Sequence, residues 1–397
     1  MQFRHFSKTD NHDKGENMGP LAGLRIIELE GLGPAPFAGM MFADMGAEVI
    51  SITRKSAAKD APVINSISER GKKSIALNLK DPRAVEVVLK LCETADALIE
   101  GFRPGVTERL GIGPDDCAAR NPKLVYGRMT GWGQTGPLSQ TAGHDINYIS
   151  LSGALHGIGR AGEKPVPPLN LVGDFGGGGM YLAFGVVSAM LEATRSGKGQ
   201  VVDTSMVEGS ASLMHMMYSS LNTGLFDWRD ERGVNLLDSG SHFYETYETR
   251  DGKFMSIGPI EPQFYAILKD KLGIADSDFE PQLDMVRWPD MKAKITILFK
   301  TKTRDEWCDI FDGSDACVAP ILSMKEAPKH PHNVARKSFI EVDGHIQPGP
   351  APKFSRTEPE VRSGAPRPGA DTDATLTRLA AYDEAMLATL RAEGVLS

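Results

Sequence analysis

The fold of this chain is decided by residues 24–54, LRIIELEGLGPAPFAGMMFADMGAEVISITR. A short apolar run ends at Gly31, a helical stretch follows and stops at Gly46, and a second apolar run leads to Arg54. Apolar strand runs on either side of a helical stretch predict a βαβ unit. The chain therefore starts its periodic sequence as a strand, a helix and a parallel strand.

The next stretches repeat this plan. Residues 81–102, DPRAVEVVLKLCETADALIEGF, place Asp81 as N-cap and Pro82 as the first helical residue, and end in a strand run. Residues 122–133, PKLVYGRMTGWG, add another strand. The alternation predicts an α/β fold with a Rossmann-like large domain, whose parallel sheet is covered by helices on both faces.

The first turn, GLGPAP at residues 31–36, does not suit a nicotinamide dinucleotide. It lacks the third glycine of the G-x-G-x-x-G fingerprint, and Arg54 and Lys55 occupy the region where an acidic residue would bind a ribose. The basic strand end suits a phosphate instead.

The sequence pattern changes from about residue 225 onward. The stretch HFYETYETRDGKFMSIG (242–258) predicts two strands joined by an Asp-Gly turn. A Pro- and Gly-rich arm at 347–373 precedes a last helix near 374–393. We expect a flexible N-terminal extension (1–18), a large Rossmann-like domain (19–224), a small α+β domain (225–330) and a C-terminal segment that returns to the large domain (331–397).

Composition favours a small-molecule partner. The 397 residues carry a net charge of −8. The sequence has no long Lys/Arg block of the kind that binds nucleic acid or an anionic membrane. The longest apolar run, residues 180–191, is shorter than the ~20 residues that span a bilayer. The four cysteines show no metal-binding or C-x-x-C spacing, and the N-terminus resembles no signal or transit segment, so we expect a cytoplasmic location.

Asp174 is the first candidate for chemistry, because it precedes four consecutive glycines in VGDFGGGGM (172–180). Glycine costs ~1 kcal/mol per helical residue relative to alanine, so the run needs a reason. One interpretation is close packing of a helix start, with Asp174 as an ordinary N-cap. The other is a ligand that approaches bare backbone N–H groups, where a helix start could stabilise an oxyanion.

His144, in GHDINY (143–148), is the second candidate, although a single histidine is often only a structural donor. A histidine and a carboxylate that converge on one carbon from opposite sides can remove a proton on one face and return it on the other. Glu261, in GPIEPQFY (258–265), could orient the imidazole, or its negative charge could simply stabilise the N-terminus of a helix.

Arginines and methionines suggest how a large ligand could bind. Arg54, Arg103 and Arg109 fall at or just after predicted strand ends, where open α/β sheets bind ligands, and would suit the phosphates of a nucleotide or CoA. Met214, Met216 and Met217 lie close together, either as core residues or as a pliant surface for acyl chains.

Several stretches together resemble the α-methylacyl-CoA racemases, within the family III CoA-transferase superfamily. Besides residues 24–54 these are EGFRPGVTERLGIGP, GRMTGWGQTGP, AGHDINYISLSG, PLNLVGDFGGGGM, GKGQVVDTSMVEG, GPIEPQFY and WCDIFDGSDACVAP. The resemblance covers about residues 19–355. The presence of His144 in addition to Asp174 is typical of the racemase branch.

The resemblance implies that His144, supported by Glu261, and Asp174 are the two acid/base catalysts at C2 of a 2-methylacyl-CoA thioester. The enolate oxygen would be bound by the backbone N–H of Asp174. The residues implied for CoA binding are Arg54, Lys80, Arg103, Arg109, Asp145 and Tyr148.

The family further implies an interlocked homodimer with acyl-CoA as its partner, and no metal or redox cofactor. Two alternatives stay open: a CoA transferase that uses Asp174 as nucleophile, and a non-catalytic acyl-CoA binding protein. The chain departs from the racemase pattern at LLDSGSHFYETY (236–247), where His242 is unusual. We expect this departure to lie near the acyl chain and to affect substrate preference.

Overall fold

The structure is a computed structural model that describes residues 19–54, 67–274 and 278–396. Residues 1–18, expected as a flexible extension, and Lys55 lie outside the described residues. Within the described ranges, no helix combines the length and apolar character that crossing a bilayer requires.

Six parallel strands form the central sheet. They are β1 (Arg25–Leu29), β2 (Glu48–Arg54), β3 (Lys73–Leu77), β4 (Ala97–Glu100), β5 (Val125–Thr130) and β6 (Val201–Ser205). Their spatial order is β3-β2-β1-β4-β5-β6, so the direction of winding reverses between β1 and β4. The predicted α/β class with a parallel sheet is confirmed, and the reversal marks the place where such sheets bind ligands.

Helices cover both faces of this sheet. They are α1 (Pro34–Asp44), α2 (Pro82–Cys92), α3 (Val106–Leu110), α4 (Pro114–Arg120), α5 (Asp145–Leu151), α6 (Ala154–Gly157), α7 (Met180–Ser196), α8 (Met206–Leu213) and α9 (His215–Thr223). A π-helix, Leu171–Gly179, runs directly into α7. The predicted cap of α2 is confirmed, since Asp81 accepts the Arg83 N–H at 2.9 Å.

The alternation of side chains along the strands divides the core of the large domain in two. Ile27 of β1 packs in a cluster that includes helix α2, whereas the adjacent Ile26 packs in a cluster that includes α1 and α7. Successive side chains of a strand point to opposite faces, so adjacent isoleucines of β1 serve two cores at once.

A smaller unit follows with its own aromatic core. It contains β7 (Glu245–Glu248), β8 (Phe254–Ile257), α10 (Pro262–Leu272), α11 (Trp288–Phe299), α12 (Arg304–Phe311) and β9 (Val318–Pro320). The three strands form an antiparallel sheet in the order β7-β8-β9. Tyr247, Phe299 and Trp307 are among the buried side chains that hold this unit together.

The C-terminal part consists of α13 (Pro331–Ala335), a hairpin of β10 (Phe339–Val342) and β11 (His345–Pro348), and two helices, α14 (Thr372–Ala380) and α15 (Glu384–Ala392). The sequence pattern predicts one final helix, but Ala381 adopts a left-handed φ of 54° and Asp383 caps α15 by accepting the Met386 N–H at 2.8 Å. A residue in the left-handed region ends an α-helix, so the segment divides.

This C-terminal part covers the open edge of the sheet at β3. The Ser74 N–H donates to Asp371 Oδ2 at 2.9 Å, and the Asn78 N–H donates to the Val395 carbonyl at 2.9 Å. Leu396 forms an antiparallel bridge with Leu77 and is fully buried. Pairing these groups satisfies backbone donors that an exposed edge would leave free.

Candidate active site

A cavity of about 410 Å³ opens at the carboxyl ends of β1, β4 and β5, where the winding of the sheet reverses. Its walls come from the turns after these strands, from the start of α5 and from the π-helix. Four residues singled out in the sequence line it: Arg103, His144, Tyr148 and Asp174. These residues are far apart along the chain, and parallel strands bring them together because their carboxyl ends share one edge.

His144 is the N-cap residue of α5 and presents an exposed side chain to the cavity. Its carbonyl accepts the Asn147 N–H at 2.8 Å, and its own N–H donates to Asn147 Oδ1 at 3.0 Å. The backbone is therefore held by the helix start while the imidazole stays available to a ligand.

Asp174 is half-buried and also lines the cavity. Its Oδ2 accepts a hydrogen bond from Asn170 Nδ2 at 3.1 Å, and a Cβ on Gly33 would lie 3.4 Å from the same oxygen. Burial raises the pKa of this carboxyl and the nearby Asp145 charge raises it further, while the Asn170 hydrogen bond and the His144 charge act in the opposite direction. A carboxyl with a raised pKa is better suited to both accept and return a proton near neutrality.

The four glycines after Asp174 serve close packing. A Cβ on Gly177 would lie 2.6 Å from the Ser210 nitrogen, and one on Gly209 of α8 would lie 1.8 Å from the Gly177 carbonyl oxygen. A Cβ on Gly179 would meet the Pro34 carbonyl of α1 at 2.8 Å. The packing interpretation therefore explains these glycines, whereas the N-cap part of it is wrong, because Asp174 is the fourth residue of the π-helix.

The backbone N–H of Asp174, which the family resemblance assigns to the enolate oxygen, already has a partner. It donates to Asp145 Oδ1 at 2.7 Å. Asp145 is 8% exposed and is absent from the cavity wall, so its expected place in the CoA cleft is not supported. It lies beneath Asp174 instead, because the first turn of α5 packs against the π-helix.

Tyr148 and Trp132 form one side of the cavity. Their rings meet edge to face at 4.8 Å, and the Tyr148 hydroxyl donates to the Gly143 carbonyl in front of His144. Trp132 lies in the GRMTGWGQTGP stretch, whose pattern indicates no role for it. Its indole N–H is buried and has no hydrogen-bond partner among the described residues.

The expected cations lie along one edge of the sheet, although only Arg103 reaches the cavity. Arg54 ends β2, Lys80 follows β3, and both are exposed. Arg54 lies 4.0 Å from Glu30 in an exposed ion pair. Arg109, on α3, places Nη1 beside Gly105. The carboxyl ends of β2, β3 and β4 lie on the same edge of the parallel sheet, so these cations form a row that leads to the cavity.

Glu261 does not join His144 within one chain. It is the exposed N-cap residue of α10 in the small unit, where its charge contributes to the raised pKa of the Cys317 thiol, after the larger effect of burial. The cavity wall contains no residue of this unit within the described parts of the chain.

His242 is fully buried in the aromatic core of the small unit, whereas Leu237, Ser239 and Tyr244 of the same stretch line a cavity. Its Nε2 lies 2.6 Å from the Tyr265 hydroxyl, which itself donates to the Phe279 carbonyl at 3.0 Å, so Nε2 carries the proton. Burial, followed by the Lys292 and Arg287 charges, lowers the pKa of His242 to about 3. The His242 side chain therefore contributes to the packing of this unit, and the effect of the 236–247 stretch on substrate preference stays a prediction.

The methionine cluster does not lie in the core. Met214 and Met217 line a second cavity of about 700 Å³ between the large and small units, and Met216 is 39% exposed. This cavity also includes Trp228 and Cys317.

Comparison with known proteins agrees with this arrangement. A profile described as CoA-transferase family III matches residues 21–372. Alpha-methylacyl-CoA racemase of Mus musculus is 50% identical over 339 residues, which cover 85% of this chain and 87% of that protein. The human protein of the same name is 46% identical over 338 residues, with 85% and 87% covered.

A solved structure shows the same fold. The CAIB/BAIF family protein from Brucella suis superposes with a TM-score of 0.78 at 23% identity, covering 91% of this chain and all of that chain (100%). The match of the profile over most of the chain and the identity to the two racemases confirm the resemblance seen in the sequence. The chain belongs to CoA-transferase family III.

Proposed function

We propose that this chain racemises 2-methylacyl-CoA thioesters at C2 by 1,1-proton transfer through an enolate. The observation that carries the proposal is the convergence of His144 and Asp174 on one cavity at the sheet's switch point. The identity to two proteins named alpha-methylacyl-CoA racemase supports the same chemistry.

The proton transfers balance between these two groups. In one direction His144 takes the C2 proton, the C–H bond electrons form the enolate, and protonated Asp174 delivers a proton to the opposite face. In the other direction the ionised Asp174 takes the proton and the imidazolium returns one. The raised pKa of Asp174 supports both roles, because it makes the protonated carboxyl more accessible near neutral pH.

The enolate oxygen needs hydrogen-bond donors. The Asp174 N–H can serve only in competition with the Asp145 carboxylate, which accepts it at 2.7 Å. The enolate oxygen would therefore have to displace the Asp145 carboxylate from this N–H, which is the donor that the family resemblance implies.

The CoA phosphates bind the row of cations at the carboxyl edge of the sheet. Arg103 is the member that faces the cavity, and Arg54, Lys80 and Arg109 extend the positive edge. Guanidinium groups bind phosphate oxygens in pairs of hydrogen bonds, which suits a ligand with several phosphates.

A homodimer completes the site. Met180, Phe184, Val187 and Leu191 form a stripe along α7, with 36% to 74% of each side chain exposed. An exposed apolar stripe at helical spacing is typical of a surface that packs against another protein surface. The partner's small unit would bring a second copy of Glu261 to His144, which would explain why Glu261 is exposed and does not line the cavity of its own chain.

The same proposal includes a cytoplasmic location. All four cysteines are free, and the buried Cys92 Sγ donates a hydrogen bond to Cys117 Sγ at 4.0 Å without a disulfide. A reducing compartment is consistent with thiols in this arrangement.

The test is incubation of the purified protein with one enantiomer of a 2-methylacyl-CoA in D2O without an acceptor acid. We expect deuterium at C2 and approach to a racemic mixture, and a loss of about 10²- to 10⁴-fold in His144→Ala and in Asp174→Asn. Absence of exchange, followed by CoA transfer to an added carboxylic acid, would make Asp174 a nucleophile. Binding without either reaction would indicate a non-catalytic protein.

A further inference from the structure

A buried arginine lies behind the loop that carries Arg103. Arg128, in β5, is 6% exposed, and its Nε donates to Glu100 Oε1 at 2.9 Å. Glu100 ends β4 and is fully buried. A buried carboxylate needs a paired cation, and Arg128 supplies it.

The same guanidinium also holds the far end of the loop. Nη1 donates to Glu108 Oε1 at 2.7 Å, and Nη2 donates to Thr107 Oγ1 at 3.3 Å. Both acceptors belong to α3, which begins at Val106.

The near end of the loop is held by the other oxygen of Glu100, which accepts the Phe102 N–H at 2.6 Å. The segment of residues 101–108, the 101–108 loop, is therefore held at both ends by one ion-pair network. Arg103 lies between them, exposed on the cavity wall.

We propose that Arg128, through Glu100 and Glu108, is a positioning residue that holds the 101–108 loop so that Arg103 meets the CoA phosphates. The inference rests on the proposed function, since it takes CoA as the ligand of Arg103. A loop fixed before binding loses less conformational freedom when the ligand arrives, so the network strengthens CoA binding without touching C2.

The test uses Glu108→Gln and Arg128→Lys. The Glu108 side chain is 45% exposed, so the amide removes the charged bond without leaving a buried charge. Lysine at 128 keeps a cation beside Glu100 but cannot form the fork to Glu108 and Thr107. Glu86→Gln is the matched control, because Glu86 is 49% exposed and accepts from Arg120 at 2.5 Å in an exposed ion pair of α2 and α4.

Two readouts separate positioning from a general structural effect. Calorimetry with free CoA reports binding without catalysis, and racemisation kinetics compare an acyl-CoA with the corresponding acyl-pantetheine, which lacks the phosphates. We expect the Kd of CoA and the KM of acyl-CoA to rise on the order of three- to tenfold in both variants, with kcat and the pantetheine kinetics unchanged. In an Arg103→Ala background the two substitutions should have no further effect.

Three results would overturn the inference. The first is wild-type CoA affinity in both variants, and the second is an equal loss of activity with acyl-CoA and with acyl-pantetheine. The third is a loss of CoA affinity that adds to the loss caused by Arg103→Ala. Failure of the proposed function has a different signature: the wild type binds CoA but does not exchange the C2 proton, and the positioning role is then judged by calorimetry alone. A wild type that does not bind CoA would overturn both.

Discussion

Asp174 and Asp145 are joined by one hydrogen bond from a backbone N–H to a carboxylate, and that bond has two effects at the residue scale. It fixes the backbone of the proposed catalytic residue at 2.7 Å from Asp145 Oδ1. It also brings a second negative charge near the Asp174 carboxyl, whose pKa is raised mainly by burial and further by Asp145. A neighbour that never faces the substrate can thus set the proton affinity of a group that does.

Asp145→Asn should separate these effects, because the amide oxygen can still accept the Asp174 N–H but carries no charge. The pKa of Asp174 should fall, so the limb of the kcat–pH profile that belongs to Asp174 should move to lower pH in both reaction directions. Asp145→Ala, which removes the acceptor as well, should lower kcat in addition. A limb at the wild-type pH in Asp145→Asn would show that the Asp145 charge does not act on Asp174.

His242 predicts a pH dependence of stability. Its pKa is about 3 in the folded protein against an ordinary value of 6.5, so the unfolded chain binds more protons between these values. The neutral imidazole contributes fully to the stability of the folded protein above pH 6.5, and this contribution is lost as the pH falls toward 3. The free energy of unfolding should therefore fall by up to about 1.4 kcal/mol per pH unit from this group.

Urea unfolding at several pH values checks this prediction. His242→Phe, which keeps an aromatic ring beside Phe243 and Tyr265, should show a flatter dependence although its absolute stability is lower. The exposed His345→Gln is the control and should retain the wild-type slope. Parallel slopes in His242→Phe and wild type would contradict the role of this histidine.

At the scale of elements, the contact between the π-helix and α8 determines where Asp174 lies. The two backbones approach so closely that a Cβ on Gly209 would lie 1.8 Å from the Gly177 carbonyl oxygen. π-helical turns are rare and occur mostly near functional sites. The wider turn and the bare glycines together bring the aspartate into the wall of the cavity that His144 also lines.

Gly177→Ala tests this contact. The added methyl would lie 2.6 Å from the Ser210 nitrogen, and backbone cannot move aside as a flexible side chain can. We expect a loss of about 1 to 3 kcal/mol in unfolding free energy, together with a lower kcat because Asp174 shifts. Gly157→Ala, where a methyl meets nothing within 4 Å, should change neither quantity by much. Wild-type stability and kcat in Gly177→Ala would refute the packing argument.

At the scale of the whole molecule, one chain supplies only part of the proposed site. The cavity belongs to the large unit, Glu261 belongs to the small unit, and an apolar stripe on α7 lies uncovered. An isologous dimer would cover the stripe and bring the two kinds of unit together across subunits.

Subunit complementation tests this arrangement. His144→Ala and Glu261→Ala chains, each with low activity alone, should form mixed dimers that contain one intact site, and random mixing should restore about one quarter of wild-type activity. His144→Ala mixed with Asp174→Asn is the control, since both residues line the cavity of one chain and no intact site can form. Equal activities in the two mixtures would place Glu261 and His144 in the same subunit's site.

Several of these features follow from sequence patterns and others do not. The cap at Asp81 could be predicted because its hydrogen bond spans two residues. Arg103 could be placed at the carboxyl edge of the sheet because it follows a predicted strand, whereas His144 and Asp174 are assigned to one site by the family resemblance. The bond from Asp174 to Asp145 spans 29 residues, and no local pattern indicates which side chain fills that space.

The sequence by itself determined the α/β class and the parallel sheet, because periodicity, caps and strand ends are local properties. Its motifs determined the family, and the resemblance to that family pointed to His144 and Asp174. The tertiary structure alone decided that the glycines serve backbone approach, that Asp145 lies beneath the site, that His242 is buried and that Glu261 lies in the small unit outside the cavity wall. These outcomes depend on which surfaces pack together, and packing is settled by the whole molecule at once.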